Sequence, residues 1–426
     1  MKKTGIAIMG LGVVGGGTYE IIQANRNEII ASDGIDLEVV RVLERNAERF
    51  KLMGVPEGVG TANIHDILND PRISIVVETI GGIEPARTFI IAALKAGKSV
   101  VTANKELLAK HWPELESEAK KNKAGLYFEA SCAGGIPIIR ALDLSMQGNI
   151  IKELTGIING TTNYILTKMT DKGTSYEAAL KEAQELGYAE ADPTSDVDGY
   201  DAAYKLSILS SIAFNTCVPL DSVYREGIAS VNAEDIKYAK EMGYVIKLLG
   251  ISKLDGKYIE AHVHPTLVAE EHPLASVRNS FNSVYLVGDN VGELMFYGKG
   301  AGARPTGSAV VSDIVLCASL RGNHRYAFFK NDGKLSKGIK MVENFKSKYY
   351  IRMSAVDRAG TLAKVTAVFG KYNVSIEQVI QKNSAGDVSP LIFMTHGSDE
   401  KSIRNAVAGL KNSDAVASVD NVIRVM

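Results

Sequence analysis

The sequence predicts a mixed α/β chain: a parallel α/β unit, then an α+β unit, then a small unit of order βαββαβ. Three observations carry this. Strand and helix signals alternate through about residue 130, the pattern then shifts to longer helical stretches mixed with strands, and the order strand, helix, strand, strand, helix, strand fills residues 348–426.

Residues 5–9 form a short apolar run that breaks at Gly10-Leu11-Gly12-Val13-Val14-Gly15, and a helical pattern follows to about Ile30. Asp33-Gly34 is a turn, and the Val-rich run 37–43 is the second strand. The third strand is 73–77, followed by a helix over 85–96 that Gly97 closes; 99–102 and 126–128 are the fourth and fifth strands. Strands that alternate with helices in this way build a doubly wound parallel sheet. Beyond Ala130, 136–146 is helical, 151–158 is a strand, helices run on to about Leu249, and 258–268 and 283–286 are strands. Residues 298–307 read as a glycine-rich connection, 309–320 as an apolar helix, and 321–348, polar and rich in Lys, as a linker. The last unit runs 349–356, 360–372, 376–381, 391–396, 400–410 and 419–425, a ferredoxin-like order. The expected domains are 1–130 with 306–322 packing back on it, 131–305, a linker over 323–347, and 348–426.

Composition excludes several classes of function. The 426 residues carry 48 Lys plus Arg against 49 Asp plus Glu, and without a long basic run no nucleic-acid partner is expected. No apolar run is long enough to span a bilayer, so no membrane partner is expected either. The N-terminus has two lysines ahead of an apolar stretch, but glycines interrupt it and no cleavage site follows. Cys132, Cys217 and Cys317 are dispersed and odd in number, which gives neither a disulfide framework nor a zinc site. A cytoplasmic protein is expected.

Gly10, Gly12 and Gly15 form G-x-G-x-x-G between a strand and a helix. The first glycine permits the tight turn, the second a close approach of backbone to pyrophosphate, and the third close helix packing. The helix N-terminus behind them favours an anion. This points to a Rossmann-type dinucleotide site. Glu44 and Arg45 end the second strand; an acid there binds a ribose diol and an arginine a 2′-phosphate, so NAD and NADP both stay open. Thr102-Ala103-Asn104-Lys105 ends the fourth strand, on the ligand side of such a sheet, where Lys105 either meets a substrate oxygen or simply starts the next helix. In Asn159-Gly160-Thr161-Thr162-Asn163 a threonine caps a helix, or the amides and hydroxyls hold a carboxamide or carboxylate. Gly134-Gly135 after Glu129 is a turn that could also present carbonyl oxygens to a small cation. His262 and His264 share a strand face but lack a third ligand at metal spacing. The most concentrated chemistry is LGYAEADPTSDVDGYDAAYK, 186–205. Its loop gathers Glu190, Asp192, Asp196, Asp198 and Asp201, and Asp201 and Lys205 stand four apart on one helix face. Carboxylates beside a positioned amine suit a small amino acid.

Together these segments resemble the homoserine dehydrogenase family with a C-terminal ACT domain. The matching pieces are GLGVVGGG, ETIGGIEPA, VTANKELLA, EASCAGGIPII, GIINGTTNYIL, the acid-rich block, GKGAGARPTGSAVVSDI and AVDRAGTLA, in family order over nearly the whole chain. The resemblance implies NAD(P)-dependent interconversion of L-homoserine and L-aspartate 4-semialdehyde, on the route to threonine, isoleucine and methionine. It implies Lys205 and Lys105 as the catalytic pair, and Glu190, Asp196, Asp201, Thr161 and Tyr188 around the substrate. Cofactor contacts would fall at Gly10, Leu11, Gly12, Val13, Val14, Gly15, Arg45, Thr79, Gly81, Thr102, Asn104, Lys105 and Gly302. A monovalent cation, sodium, would sit near Glu129, Cys132, Gly134 and Ile136. A threonine effector at the ACT domain and a homodimer or homotetramer are further expectations of the resemblance. A dehydrogenase of phosphorylated hydroxy acids would need an Arg/Glu/His relay that this sequence does not assemble.

Overall fold

Strands β1 (Lys2–Met9), β2 (Ile35–Leu43), β3 (Gly60–Thr61), β4 (Ile73–Glu78), β5 (Ser99–Thr102) and β6 (Leu126–Tyr127) pair in the order β3-β2-β1-β4-β5-β6, all parallel. This is a computed structural model that describes residues 2–320, 333–381 and 386–426. Helices cover both faces of the sheet, so its central strands are continuous apolar runs: Ile6, Ala7, Ile8 and Met9 in β1 and Val76 and Val77 in β4 are wholly buried. The strand order reverses between β1 and β4. The crevice that forms outside their carboxyl ends is where this architecture binds ligands. Gly10 and Thr79 stand at that point, and the helix Val13–Asp33 leads away from it.

A second helix on this sheet comes from much later in the chain. Ala303–Ser319 lies against Val13–Asp33, and its Val310 and Ile314 are buried in one apolar cluster with Ile6, Ile8 and Val42. The two helices approach so closely at Gly17 that a Cβ there would run into the backbone of Ala303.

The second sheet contains β7 (Ile151–Ile157), β8 (Tyr224–Arg225), β9 (Tyr244–Asp255), β10 (Tyr258–Ala269), β11 (Phe281–Gly288), β12 (Gly292–Lys299) and β13 (Lys340–Met341). It continues into β14 (Lys346–Val356), β15 (Ile376–Gln381), β16 (Val388–Thr395) and β18 (Val416–Val425), while β17 (Ser398–Asp399) pairs with β14. Its path is β12-β11-β7-β9-β10-β18-β14-β16-β15. The join is a short parallel pairing in which Thr266 and Leu267 of β10 stand opposite Arg424 and Val425 of β18. Helices Thr361–Lys371 and Glu400–Lys411 complete the βαββαβ unit.

The structure departs from the sequence reading in a few places. Helices were expected to run to about Leu249, but the helix Ala233–Glu241 stops before Gly243 and β9 starts at Tyr244. The segment 245–249 is a short apolar run, and periodicity alone does not distinguish a buried strand from a buried helix there. The expected connection 298–307 is shorter: Gly298 and Lys299 pair with Asn282 and Phe281, and the next helix already begins at Ala303. Pro305 lies in its first turn, where its missing N–H costs no helical bond. Of the expected linker, residues 321–332 lie outside the described residues. Farther on, Lys340–Met341 pairs with Tyr258–Ile259, and Phe345 is buried against the His262 ring. Among the described residues no helix is long and apolar enough to cross a membrane.

Candidate active site

At the switch point Gly10 adopts φ +96°, its N–H donates to the Leu43 carbonyl (2.8 Å), and its own carbonyl accepts from Thr79 Oγ1 (2.9 Å). Gly15 packs on that carbonyl so closely that no side chain would fit. No side chain caps the helix that starts at Val13, which leaves its first turn suited to a phosphate. Val13 is exposed, Val14 half-buried and Leu11 buried. A cleft of about 670 Å³ opens here, lined by Gly10, Gly12, Arg45, Arg49, Thr79 and Phe89 among others. Glu44 faces it but is engaged: Oε2 accepts from Leu11 N–H (2.9 Å), and Oε1 accepts from the N–H groups of Arg45 (2.9 Å) and Asn46 (3.0 Å). Burial alone would raise its pKa, yet these N–H groups and Arg49 hold it below the usual value. Arg45 and Arg49 are exposed.

Thr102 and Asn104 brace the crevice wall. Thr102 Oγ1 donates to the buried Glu78 carboxylate (2.5 Å), which also accepts the Ile80 and Gly81 N–H groups. Asn104 Nδ2 reaches the Gly82 carbonyl (2.6 Å), and its Oδ1 caps the helix Lys105–Lys121 through Leu107 N–H. Glu78, whose pKa burial raises, is a site-shaping residue that the sequence reading missed. An acid at the end of a central strand was the available signal.

Lys105 and Lys205 converge on one carboxylate. Lys205 Nζ donates to Asp201 Oδ2 (2.6 Å) and to the Ile158 carbonyl (2.8 Å), and Lys105 Nζ lies 3.2 Å from Asp201 Oδ1. The Lys205 side chain is 11% exposed and that of Lys105 is 42% exposed, so Lys105 faces the open side. Asn159 Nδ2 donates to both Asp201 (2.8 Å) and Asp196 (2.6 Å), tying the acidic loop to the end of β7. Its Oδ1 accepts from Thr162 N–H (2.8 Å), so Asn159, not a threonine, caps the helix Gly160–Lys172. Burial would raise the Asp201 pKa, but the charges of Lys205 and Lys105 outweigh it and hold the carboxyl well below the usual range. Asp196 shifts the other way, pushed up by burial and by the charge of Asp201. The Lys105 pKa is raised, mainly by Asp201 and against the effect of burial.

Thr161 Oγ1 donates to the Tyr188 carbonyl (2.7 Å), which pins the loop that carries Glu190. Tyr188 is 44% exposed with its ring 4.8 Å from that of Tyr164, and Glu190 is exposed. Glu129 is buried; its oxygens accept from Ile139 N–H (2.9 Å) and Arg140 N–H (2.7 Å), while its own N–H donates to Asp313 Oδ2 (2.8 Å). Arg140 Nη2 bonds the other Asp313 oxygen (2.8 Å). Burial and the neighbouring Asp313 push Glu129 up to about 7. Cys132, its thiol pushed up to about 12 by burial, lies with its Sγ 3.9 Å from the Lys205 carbonyl, so this turn touches the lysine helix. Gly134 is pressed against the backbone of Gly300, Ile136 is buried with its carbonyl accepting Ile138 N–H, and Gly302 is exposed at the start of the helix Ala303–Ser319. His262 and His264 are buried and bond each other (2.8 Å), and no cluster suited to a metal is built from His, Cys, Asp and Glu among the described residues.

A nucleotide crevice at the switch point of a parallel sheet, with amines poised where its wall meets an acidic loop, is the layout of a nicotinamide-dependent dehydrogenase. Comparison with known proteins makes the class specific. Family models match in chain order: the homoserine dehydrogenase NAD-binding domain over residues 10–129, homoserine dehydrogenase over 137–315 and the ACT domain over 349–412. The homoserine dehydrogenase of Bacillus subtilis is 40% identical over 430 residues, spanning 100% of this chain and 99% of that protein. The crystal structure of a homoserine dehydrogenase from Thiobacillus denitrificans is similar with a TM-score of 0.94 at 42% identity, covering 100% of this chain and 99% of that one. A hyperthermophilic archaeal homoserine dehydrogenase in complex with NADPH is similar at a TM-score of 0.64 and 29% identity, over 74% of this chain and 98% of that one. The chain belongs to the homoserine dehydrogenase family. It is an NAD(P)-dependent oxidoreductase that interconverts L-homoserine and L-aspartate 4-semialdehyde, and it carries a C-terminal ACT domain.

Proposed function

We propose that Lys205 and Lys105 handle the proton and the developing oxyanion in this reaction. The meeting of two amines, a hundred residues apart in the chain, on the single buried carboxylate of Asp201 carries that reading. A bound nicotinamide dinucleotide supplies the hydride to the aldehyde carbon or takes it back. The lysine ammonium opposite stabilises negative charge growing on the oxygen and gives it a proton. Asp201 orients both amines and favours the charged form of Lys105. Asp196, whose charge is disfavoured by burial and by Asp201, gains from an arriving substrate ammonium, and Glu190, Thr161 and Tyr188 form the outer wall of that pocket. Initial rates with homoserine and each nicotinamide cofactor, set against a phosphorylated hydroxy acid, test the reading. No rate with homoserine would end it.

NADP is the proposed preferred cofactor. The Glu44 oxygens are occupied by backbone N–H groups, whereas Arg45 and Arg49 stand exposed at the cleft, where a 2′-phosphate is expected. The archaeal relative's complex with NADPH supports the same reading. Replacing Arg45 with alanine is expected to raise KM for NADP about 10-fold or more and to leave KM for NAD nearly unchanged. Equal changes for the two cofactors would count against it.

A sodium ion beside Glu129 fits the donor set. Of two buried carboxylates, Asp313 bonds the Arg140 guanidinium while Glu129 accepts only backbone N–H groups, and the nearby carbonyls of Cys132, Gly134 and Ile136 are hard oxygen donors. The Ile136 carbonyl already accepts one N–H but keeps a second lone pair. Sodium chloride in place of choline chloride should raise the melting temperature, and Glu129→Gln should abolish the increment. An equal increment in both proteins would remove Glu129 from the cation site.

A threonine-like effector is proposed for the cleft of about 110 Å³ at Asp357, Arg358, Thr361 and Ser389, which can offer both charges to an amino acid. A homodimer or homotetramer is supported by β15, which ends the second sheet and exposes Glu377, Gln378 and Val379. The proposed location is the cytoplasm, in keeping with a metabolic dehydrogenase.

A further inference from the structure

We infer that Arg424, in the last strand of the ACT unit, is a positioning residue for the catalytic loop 196–201 of the same chain. Its side chain is only 4% exposed. Nη1 bonds Glu226 Oε2; Nη2 bonds Glu226 Oε1 (2.9 Å), Glu400 Oε1 (2.7 Å) and Tyr224 Oη (3.2 Å). Glu400 is fixed in turn by the Tyr349 hydroxyl (2.8 Å). Arg424 thus grips Glu226, a residue of the catalytic part, from within the ACT unit.

Glu226 follows β8, and its neighbours hold the loop. Arg225 Nη1 bonds the Asp198 carbonyl, and the Arg225 guanidinium lies 3.4 Å from the centre of the Tyr200 ring. Ile228 N–H donates to the Val197 carbonyl (2.8 Å), while Glu226 N–H is anchored on Val263 of β10 (2.8 Å). Within the loop Asp196 is bonded to Asn159, and Asn159 to Asp201, the carboxylate on which the two lysines meet. Backbone and side-chain contacts therefore run without a gap from Arg424 to Asp201. The Glu226 side chain is 37% exposed, so the constraint comes from the arginine side: the guanidinium, buried with Glu400, would be a buried charge if it lost these partners.

A second polar clamp joins the same two units and serves as an internal control. Arg352 Nε bonds Asp235 Oδ1 (2.7 Å), and Asp235 also accepts from Tyr350 Oη (3.0 Å) and Asn421 Nδ2 (2.7 Å). That clamp holds the helix Ala233–Glu241 and, through Asn421, the Ser230 carbonyl. Loosening either clamp weakens docking of the ACT unit, but the Arg424 clamp leads into 196–201 directly through Glu226 and Arg225, whereas the Arg352 clamp reaches Val197 only by way of Ser230, Val231 and Ile228.

The inference rests on the reading that this loop holds the amino-acid end of the substrate. The test compares Arg424→Lys, Arg424→Gln and Arg352→Gln in the full chain, measuring KM for homoserine, KM for NADP and melting temperature. Both glutamine variants should melt lower. Arg424→Gln should raise KM for homoserine about fivefold or more, and by more than Arg352→Gln does, with KM for NADP unchanged, and Arg424→Lys should recover part of the loss. Equal homoserine KM values in the two glutamine variants overturn the inference. If Arg424→Gln does not fold, Arg225→Lys, which alters the last link alone, must give the same rise in KM or the inference fails. Asp196→Asn separates the two readings: a changed homoserine KM there with unchanged values in the Arg424 and Arg225 variants sinks the coupling alone. An unchanged KM in Asp196→Asn sinks the placement of the substrate.

Discussion

Lys205→Ala is expected to lower turnover by about 10²–10⁴-fold, the range for loss of a positioned proton donor, while affinity for the reduced cofactor stays the same. The amine is nearly inaccessible and among the described residues bonds groups of its own pocket, Ile158 and Asp201, so its removal leaves the glycine-lined crevice intact. Asp201 retains Lys105 and Asn159 as partners, and the buried carboxylate is not abandoned. Arginine at 205 should not rescue the rate, because a guanidinium keeps its proton at any working pH. Steady-state rates combined with titration of bound reduced nucleotide would separate the two effects. Turnover within a few-fold of the parent enzyme would take Lys205 out of the chemistry.

Asp201→Asn should move the pH profile rather than merely depress it. Asp201 is the largest cause of the raised Lys105 pKa, so at neutral pH Lys105 stays an ammonium, ready to give a proton to the semialdehyde oxygen. Homoserine oxidation needs the reverse, an uncharged amine that accepts the hydroxyl proton, and its rate should climb well into the alkaline range. Without the carboxylate charge that amine titrates earlier, and the rising limb should move to lower pH. Stability supplies a second readout. The Asp201 pKa is depressed in the folded protein, so its contribution is present above the unfolded value near 4 and is lost as pH falls through the folded one. The parent protein should therefore lose melting temperature below about pH 4 through a term that Asp201→Asn lacks. Coincident pH–rate profiles for the two proteins would contradict the role given to Asp201.

The parallel sheet was legible because its central strands are buried on both faces and end in glycine turns. A run such as Ile6–Met9 before Gly10 has few other readings. The two-residue strands Gly60–Thr61, Tyr224–Arg225 and Lys340–Met341 carry no periodicity of their own and exist only because a longer neighbour offers bonding groups. β9 was hidden for a different reason, since its apolar run follows a helix and matches a helix equally well. In the site, the Asp201–Lys205 spacing was readable as local geometry, because positions four apart share a helix face. The arrival of Lys105 at the same carboxylate was not, since it depends on how two sheets meet. Asn159, Glu78 and Asp313 were overlooked as organising residues because their roles consist of long-range bonds to carbonyls, N–H groups and acids far along the chain.

The close seating of Gly17 against Ala303 has a consequence for synthesis. The cofactor-binding sheet, whose last strand ends at Tyr127, is covered in part by a helix that starts only at Ala303, about 175 residues later. Until Ser319 has left the exit tunnel, the part of that side which Val13–Asp33 does not cover stays bare in the nascent chain, a stretch of greasy surface open to chaperones.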